Sequence, residues 1–250
     1  AVTVFLAATA TKAAAYLLLR FLFTVFGADF PILGPTLTYL LMPLAIIAMF
    51  AASTVAIFQV DIKRMLAYSS LGQLGYMVLG ISFASVAGLT ATIIHLFNHA
   101  LMKGALFMAL GAIVLRLGTA SIDSMRGLGR QMPWTMAAFV VGGLSLIGVP
   151  LTVGFISKWY LIVAALEAGY WPIAVAIVAS SLLAVIYIWR VVEAAYFEEA
   201  PEGSNVEEAP LSMLIPTWTL IGANVYFGID ASLTTSVAGQ AARILLKVGS

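Results

Sequence analysis

The sequence predicts an all-α, polytopic membrane protein of about seven transmembrane helices, one of them broken near Gly148-Pro150. Three observations predict it. The 250 residues are 62% hydrophobic and only 9% charged, with a mean hydropathy of +1.07, which is far too apolar for a soluble domain. The apolar residues fall in runs of about 20 or more, the length of a helical span, and the short alternating segments of a β-barrel do not occur. Finally, the stretch from Pro133 to Glu167 would be one helix about 50 Å long at 1.5 Å per residue, more than one hydrocarbon thickness.

The first span covers about 2–26 and carries Lys12 among Ala8, Thr9, Thr11 and Ala15, small neighbours that let water or another helix approach the ammonium. Arg20, two turns on, can snorkel to the nearer interface. A Gly- and Pro-containing turn, Gly27 to Pro35, ends this span. The second span, about 36–58, tolerates Pro43 and leads to Gln59-Val-Asp-Ile-Lys-Arg64, where Asp61 is placed to cap the third span, about 63–83. That span carries Tyr68, Ser69, Ser70, Gln73 and Tyr76, which can hold water or bond between helices.

The fourth span, about 86–116, bears both histidines of the chain. His95, His99 and Lys103 are successive i, i+4 neighbours with Asn98 beside them, so they form one polar stripe. A charge at the centre of a membrane helix costs roughly 2.5–3.5 kcal/mol on the mildest scale, so the stripe should face protein or trapped water. After a basic loop with Arg126 and Arg130 comes the broken fifth span, about 133–167. Its break belongs at Leu146 to Gly154, where Pro150 removes a donor and Gly148 and Gly154 loosen the turn. Lys158 lies two turns further on, where an unwound segment can admit water.

The sixth span, about 171–197, has Tyr170, Trp171 and Trp189 as interface anchors and an Arg190–Glu193 pair one turn apart. An acidic loop, Glu198 to Pro210, precedes the seventh span, about 211–227. We therefore expect a transmembrane region over 1–229 and a tail over 230–250, in which Leu233, Val237, Ile244 and Val248 suggest a short helix lying at the interface. Lys63, Arg64, Arg116, Arg126, Arg130 and Arg190 collect at the ends of the second, fourth and sixth spans, which assigns that side to the cytoplasm. Arg243 and Lys247 of the tail run against this pattern.

Other functions fit poorly. There is no cysteine, so disulfides, thiolate metal sites and iron–sulfur clusters are excluded. His-x-x-x-His is a zinc spacing, but Leu96 stands where a zinc protease has its glutamate and no acidic residue shares the helix. Both histidines leave one helix face, which does not suit bis-histidine haem. With a net charge of +1 and no basic block, nucleic acid is not an expected partner. No cofactor and no metal are expected. The chain opens inside an apolar run without an initiator methionine, so we expect a fragment or a processed product.

Three motifs, Asp61-Ile-Lys-Arg-Met-Leu-Ala-Tyr-Ser-Ser-Leu-Gly-Gln-Leu-Gly-Tyr76, His95-Leu-Phe-Asn-His-Ala-Leu-Met-Lys-Gly-Ala-Leu-Phe107 and Leu144-Ser-Leu-Ile-Gly-Val-Pro-Leu-Thr-Val-Gly-Phe-Ile-Ser-Lys-Trp159, in that order and spacing resemble the antiporter-like membrane subunits. That family includes subunits of Mrp cation/proton antiporters and the L-, M- and N-type subunits of NADH:quinone oxidoreductase. The resemblance covers about residues 3 to 230 and implies the last seven of about fourteen helices in an inverted-repeat fold, with the glutamate–lysine pair of the first repeat lying upstream. It implies that Lys12 links two half-channels, that His95, His99 and Lys103 form a central relay, and that Lys158 is the terminal station near the outer exit. Lys63 is a weaker candidate that could be just an orientation signal.

Gly154 to Leu161 and the end of the sixth span look most like the Mrp D type, with the N type next; no long lateral helix follows the seventh span, which speaks against the L type. The resemblance thus implies a subunit of a multisubunit Na+/proton antiporter in the bacterial inner membrane, or alternatively a proton-pumping N- or M-like subunit of NADH:quinone oxidoreductase. The expected partners are other membrane subunits, the lipid bilayer, protons and Na+. A scaffold with residual lysines remains a third reading.

Overall fold

The computed structural model describes residues 9–27 and 33–247; residues 2–8 of the expected first span, part of the turn after it, and Val248 lie outside them. Among the described residues the chain is helical throughout, without a β-strand; one isolated bridge joins Asp61 to Ser121. Helix α1 (Thr11–Arg20) continues in wider π turns over Phe21–Gly27. A short turn (Leu33–Thr36) and a π segment (Leu37–Leu41) lead into α2 (Met42–Ile57). The Met42 amide reaches back to Leu37 O, so Pro43, which has no amide hydrogen, stands where the hydrogen-bonding pattern is already changing.

Asp61 caps α3 (Ile62–Ser82): its carboxylate accepts from the Arg64 amide at 3.0 Å. Ser85 caps α4 (Val86–Leu117) in the same way through the Gly88 amide at 3.1 Å, and Gly118, with φ +72°, ends it. The expected long helix is two: α5 (Pro133–Ile147) and α6 (Val153–Glu167). Then follow α7 (Trp171–Phe197), α8 (Leu211–Ile229) and α9 (Ser232–Leu245). Three helices, Gly34–Ile57, Val86–Leu117 and Trp171–Phe197, are each long and apolar enough to cross a membrane unaided. Among the fully described remainder, polar residues interrupt α3, a break divides α5 from α6, and α8 contains Pro216 and Asn224, so each falls short individually.

Helix α4 is the axle. It packs against α3, α5, α6, α8 and α9, and small residues permit the approaches: a Cβ on Gly80 would meet the Gly88 backbone and Thr92, and one on Gly154 would collide with the Ser145 carbonyl. Helices α2 and α3 close on Gly75, which faces the backbone of Ala45 and Met49.

The basic residues do gather at one end, but Arg190 does not pair with Glu193. Its guanidinium crosses to the end of α2 and donates to the carbonyls of Ile57 and Gln59, the latter at 2.8 Å, where the carbonyls of a helix C-terminus favour a cation. At the same end Glu208 caps α5, accepting from the amides of Trp134 (2.8 Å) and Thr135 (3.3 Å) and from the Thr135 hydroxyl. Arg116 holds the capping loop through Glu208 O at 2.6 Å and Glu207 at 3.5 Å.

The tail forms the short helix expected of it. After a turn at Asp230, helix α9 follows the start of α4 and places Ala238 and Ala242 against the bundle. Leu233, Val237 and Ile244 point outward and are more than half exposed. The alanines allow close approach where the larger residues do not. Replacing Glu208 by Ala should remove the α5 cap and cost about 1 kcal/mol, and Gly154→Val should cost roughly 2–3 kcal/mol by forcing α6 off the Ser145 carbonyl; thermal unfolding of the detergent-solubilised protein checks both.

Candidate functional site: a buried polar axis

The break between α5 and α6 is built from local chemistry. Gly148 takes φ +95° and its amide returns to Leu144 O at 3.0 Å, as does that of Val149. Leu151 adopts φ +72°, a strained conformation for a residue with a Cβ, and Gly228 of α8 packs directly on the backbone of Leu151 and Thr152. The last carbonyls of α5 therefore lack intrahelical partners. Lys158 supplies them. Its Nζ donates to Leu146 O at 2.9 Å and Ile147 O at 2.7 Å, reaching back from the second half-helix to the negative end of the first.

From there a chain of polar groups runs through the core. The Lys158 ammonium lies 5.1 Å from the centre of the Tyr76 ring, within cation–π range. Tyr76 meets His95 edge-on at 5.8 Å between ring centres, and its hydroxyl is 2.7 Å from Ser180 Oγ and 3.2 Å from Ser181 Oγ on α7. Ser180 Oγ also lies 3.1 Å from Ile177 O, an acceptor that can take its hydrogen when Tyr76 donates to Ser180. His95 Nδ1 is 2.8 Å from Ser157 Oγ of α6. His99 stacks parallel to His95 at 5.9 Å. Asn98 donates to Val153 O at 2.7 Å, fastening α4 to the start of α6.

Lys103 turns away from this line. It donates to Leu66 O at 2.8 Å and to Ser69 Oγ on α3. The i, i+4 stripe on α4 is thus divided between two neighbours, with His95 serving α6 and Lys103 serving α3. Lys12 is 7% exposed, Lys103 0% and Lys158 5%, so none faces outward. Lys12 comes from α1, which touches α3 and α4. Lys63 is exposed at the start of α3; the structure does not bring it to the axis, because it sits in the first turn beside the Asp61 cap, pointing outward at the basic end.

Among the described residues no Asp or Glu is buried, and no cluster of three or more His, Cys, Asp or Glu could hold a metal ion. The buried ammoniums of Lys103 and Lys158 are held by neutral carbonyl and hydroxyl oxygens. Tyr76 takes one of the two roles expected of it, bonding between helices, whereas Ser157, Ser180 and Ser181 are site residues that the sequence does not mark. Only Tyr76 left a local signal, its position one turn beyond Gln73 on the polar face of α3; the serines meet their partners across more than 60 residues of chain.

A family model described as NADH:quinone oxidoreductase/Mrp antiporter, TM, matches residues 1–184. The chain belongs to that family. It is 42% identical over 232 residues to NADH-quinone oxidoreductase subunit N of Desulforudis audaxviator, covering 88% of this chain and 46% of that protein. It is 34% identical over 255 residues to NADH-quinone oxidoreductase subunit L of Pseudomonas aeruginosa, covering 98% and 40%. Among solved structures, a chain of the membrane-bound sulfane sulfur reductase, an archaeal respiratory membrane complex, aligns with a TM-score of 0.88 and 30% identity over 99% of this chain and 50% of that one. A chain of the Mrp complex from Dietzia sp. aligns with a TM-score of 0.87 at 24% identity, over 95% and 52%, a likeness of fold. The chain spans about half the length of the curated relatives it matches. It is an integral membrane protein of the antiporter-like fold, and its structural relatives are parts of multisubunit membrane complexes.

The two best-placed lysines should differ in their structural role. Lys103→Met keeps volume and leaves one serine and one helical carbonyl, so stability should change by less than about 1.5 kcal/mol. Lys158→Met uncovers two helix-end carbonyls in an apolar interior and should cost about 1–3 kcal/mol. Thermal unfolding of the two purified variants distinguishes them.

Proposed function

We propose that this chain is the proton-conducting half of an N-type membrane subunit in a NADH:quinone oxidoreductase-like complex, and that Lys12, His99, His95, Lys103 and Lys158 are its stations. The observation that carries this is the buried axis itself: three lysines and two histidines, all inside the bundle, with no buried carboxylate among the described residues. Each of these side chains can gain and lose a proton, and charge on one repels a second proton at the next, so a proton arriving at Lys12 favours release further along. The polar axis ends at the helix break, where Lys158 can exchange its contacts with the α5 carbonyls for a water. Partner subunits, acting on α1 or on the break, would set when each station is charged.

The N-type assignment rests on the names of the sequence relatives, of which subunit N is 42% identical, and it displaces the Mrp D type that the residues of α6 and α7 had put first. An Mrp-type cation/proton antiporter subunit is the second reading, favoured by the similarity of Gly154 to Leu161 to that type; Na+ as the exported ion belongs to that reading. The loop-charge rule assigns the end bearing Arg116, Arg126 and Arg190 to the cytoplasm.

The test is NADH-driven proton uptake by proteoliposomes holding the whole complex. Lys158→Ala and Lys103→Ala should each lower protons moved per NADH oxidised by more than about tenfold while the complex still assembles. Unchanged pumping in both variants would return the chain to a scaffold, and Na+-dependent proton exchange without NADH oxidation would assign it to the Mrp type.

A further inference from the structure

Helices α3 and α4 run antiparallel, and their polar side chains meet in rungs. Lys103 binds Leu66 O and Ser69. Two turns along, Tyr76 meets His95, and beyond it the Thr92 hydroxyl donates to Met77 O at 3.1 Å. Helix spacing between these fixed pairs puts Gln73 opposite His99, one helical turn from each neighbour. Both side chains are buried, Gln73 at 3% and His99 at 0% exposure. Unlike the rungs on either side, this one is not joined directly: Gln73 Oε1 and both ring nitrogens of His99 have no protein hydrogen-bond partner, and His95 Nε2, one turn away, has none either.

Buried polar atoms without partners are rare in folded proteins, and several around one point mark a place where water is held. An amide oxygen accepts but does not exchange protons readily, whereas an imidazole does both. We propose that Gln73 is a positioning residue for proton transfer: its Oε1 orients a water between the Lys103–Ser69 rung and His99. In the step, the Lys103 ammonium gives one proton to the water while the water gives another to an unprotonated His99 nitrogen. One N–H bond breaks at lysine and one forms at histidine; the water and Gln73 emerge unchanged. Gln73 thus joins the lower rung to the stacked His99–His95 pair, which the protein atoms alone leave separated. The inference rests on the proton-axis reading above.

The test uses the whole complex in proteoliposomes, comparing wild type, Lys103→Ala, Gln73→Leu and Gln73→His in H2O and D2O. Gln73→Leu keeps the bulk of the side chain but removes the acceptor. It should lower protons pumped per NADH by at least about fivefold and raise the solvent isotope effect on pumping about twofold, because transfer through a poorly oriented water becomes limiting. Gln73→His restores an acceptor at the same rung and should recover pumping to within about threefold of wild type. Wild-type pumping in Gln73→Leu, or a loss with an unchanged isotope effect and no recovery in Gln73→His, overturns the role of Gln73. If Lys103→Ala also pumps like wild type, the axis itself is wrong; if Lys103→Ala fails while Gln73→Leu pumps normally, only the glutamine is misassigned.

Discussion

The structure depends on one contact, the Lys158 ammonium against the carbonyls of Leu146 and Ile147. A helix that ends inside an apolar interior leaves backbone acceptors with no water to satisfy them, at a cost of about 1–3 kcal/mol. Helix α5 can stop at Gly148 because α6 returns a lysine to its end. The two halves consequently require each other, and the surrounding packing enforces their register: Gly154 against the Ser145 carbonyl, Asn98 on Val153 O, and Gly228 on the loop. The feature that makes the break tolerable also places a protonatable group at its mouth.

The choice of neutral partners for the lysines has a mechanistic consequence. In an ion pair, a lysine that lost its proton would strand a buried carboxylate, at a cost of about 3–5 kcal/mol. Held by carbonyl and hydroxyl oxygens, Lys103 and Lys158 leave behind no stranded charge, and on the Lys103 side the oxygens already have other partners. Ser69, for instance, also donates to Leu66 O at 2.9 Å. Both charge states of Lys103 are therefore compatible with one backbone arrangement, which is what the proposed proton axis requires. Tyr76 adds rigidity: anchored to α7 by Ser180 and Ser181, its ring stands between Lys158 and His95 and keeps their spacing.

The rungs between α3 and α4 explain why the polar stripe is not a simple ribbon. Residues four apart share a helix face, but α4 is surrounded by α3, α5, α6, α8 and α9, so a modest rotation from one turn to the next brings a different neighbour within reach. His95 meets α6, and Lys103 meets α3. The family resemblance does not depend on these details, which is why chains with names as different as the quinone oxidoreductase N and L subunits align with this one over most of its length.

Composition, run lengths and the breakers Gly148 and Pro150 determined by themselves that the chain is helical, embedded in a membrane and interrupted near residue 150, because these are consequences of hydrophobicity and backbone chemistry that act over a few residues. They also marked Lys12, His95, His99, Lys103 and Lys158, since a charge in an apolar run is conspicuous wherever it points. Tertiary structure decided the rest. It alone removed Lys63 from the axis, sent Arg190 to the end of α2 instead of to Glu193, docked α9 along α4, and joined His95 to Ser157 and Tyr76 to Ser180. Each of these depends on which of several competing partners stands nearest in space, and helix spacing along one chain carries no record of the rotation and depth at which another helix will pack.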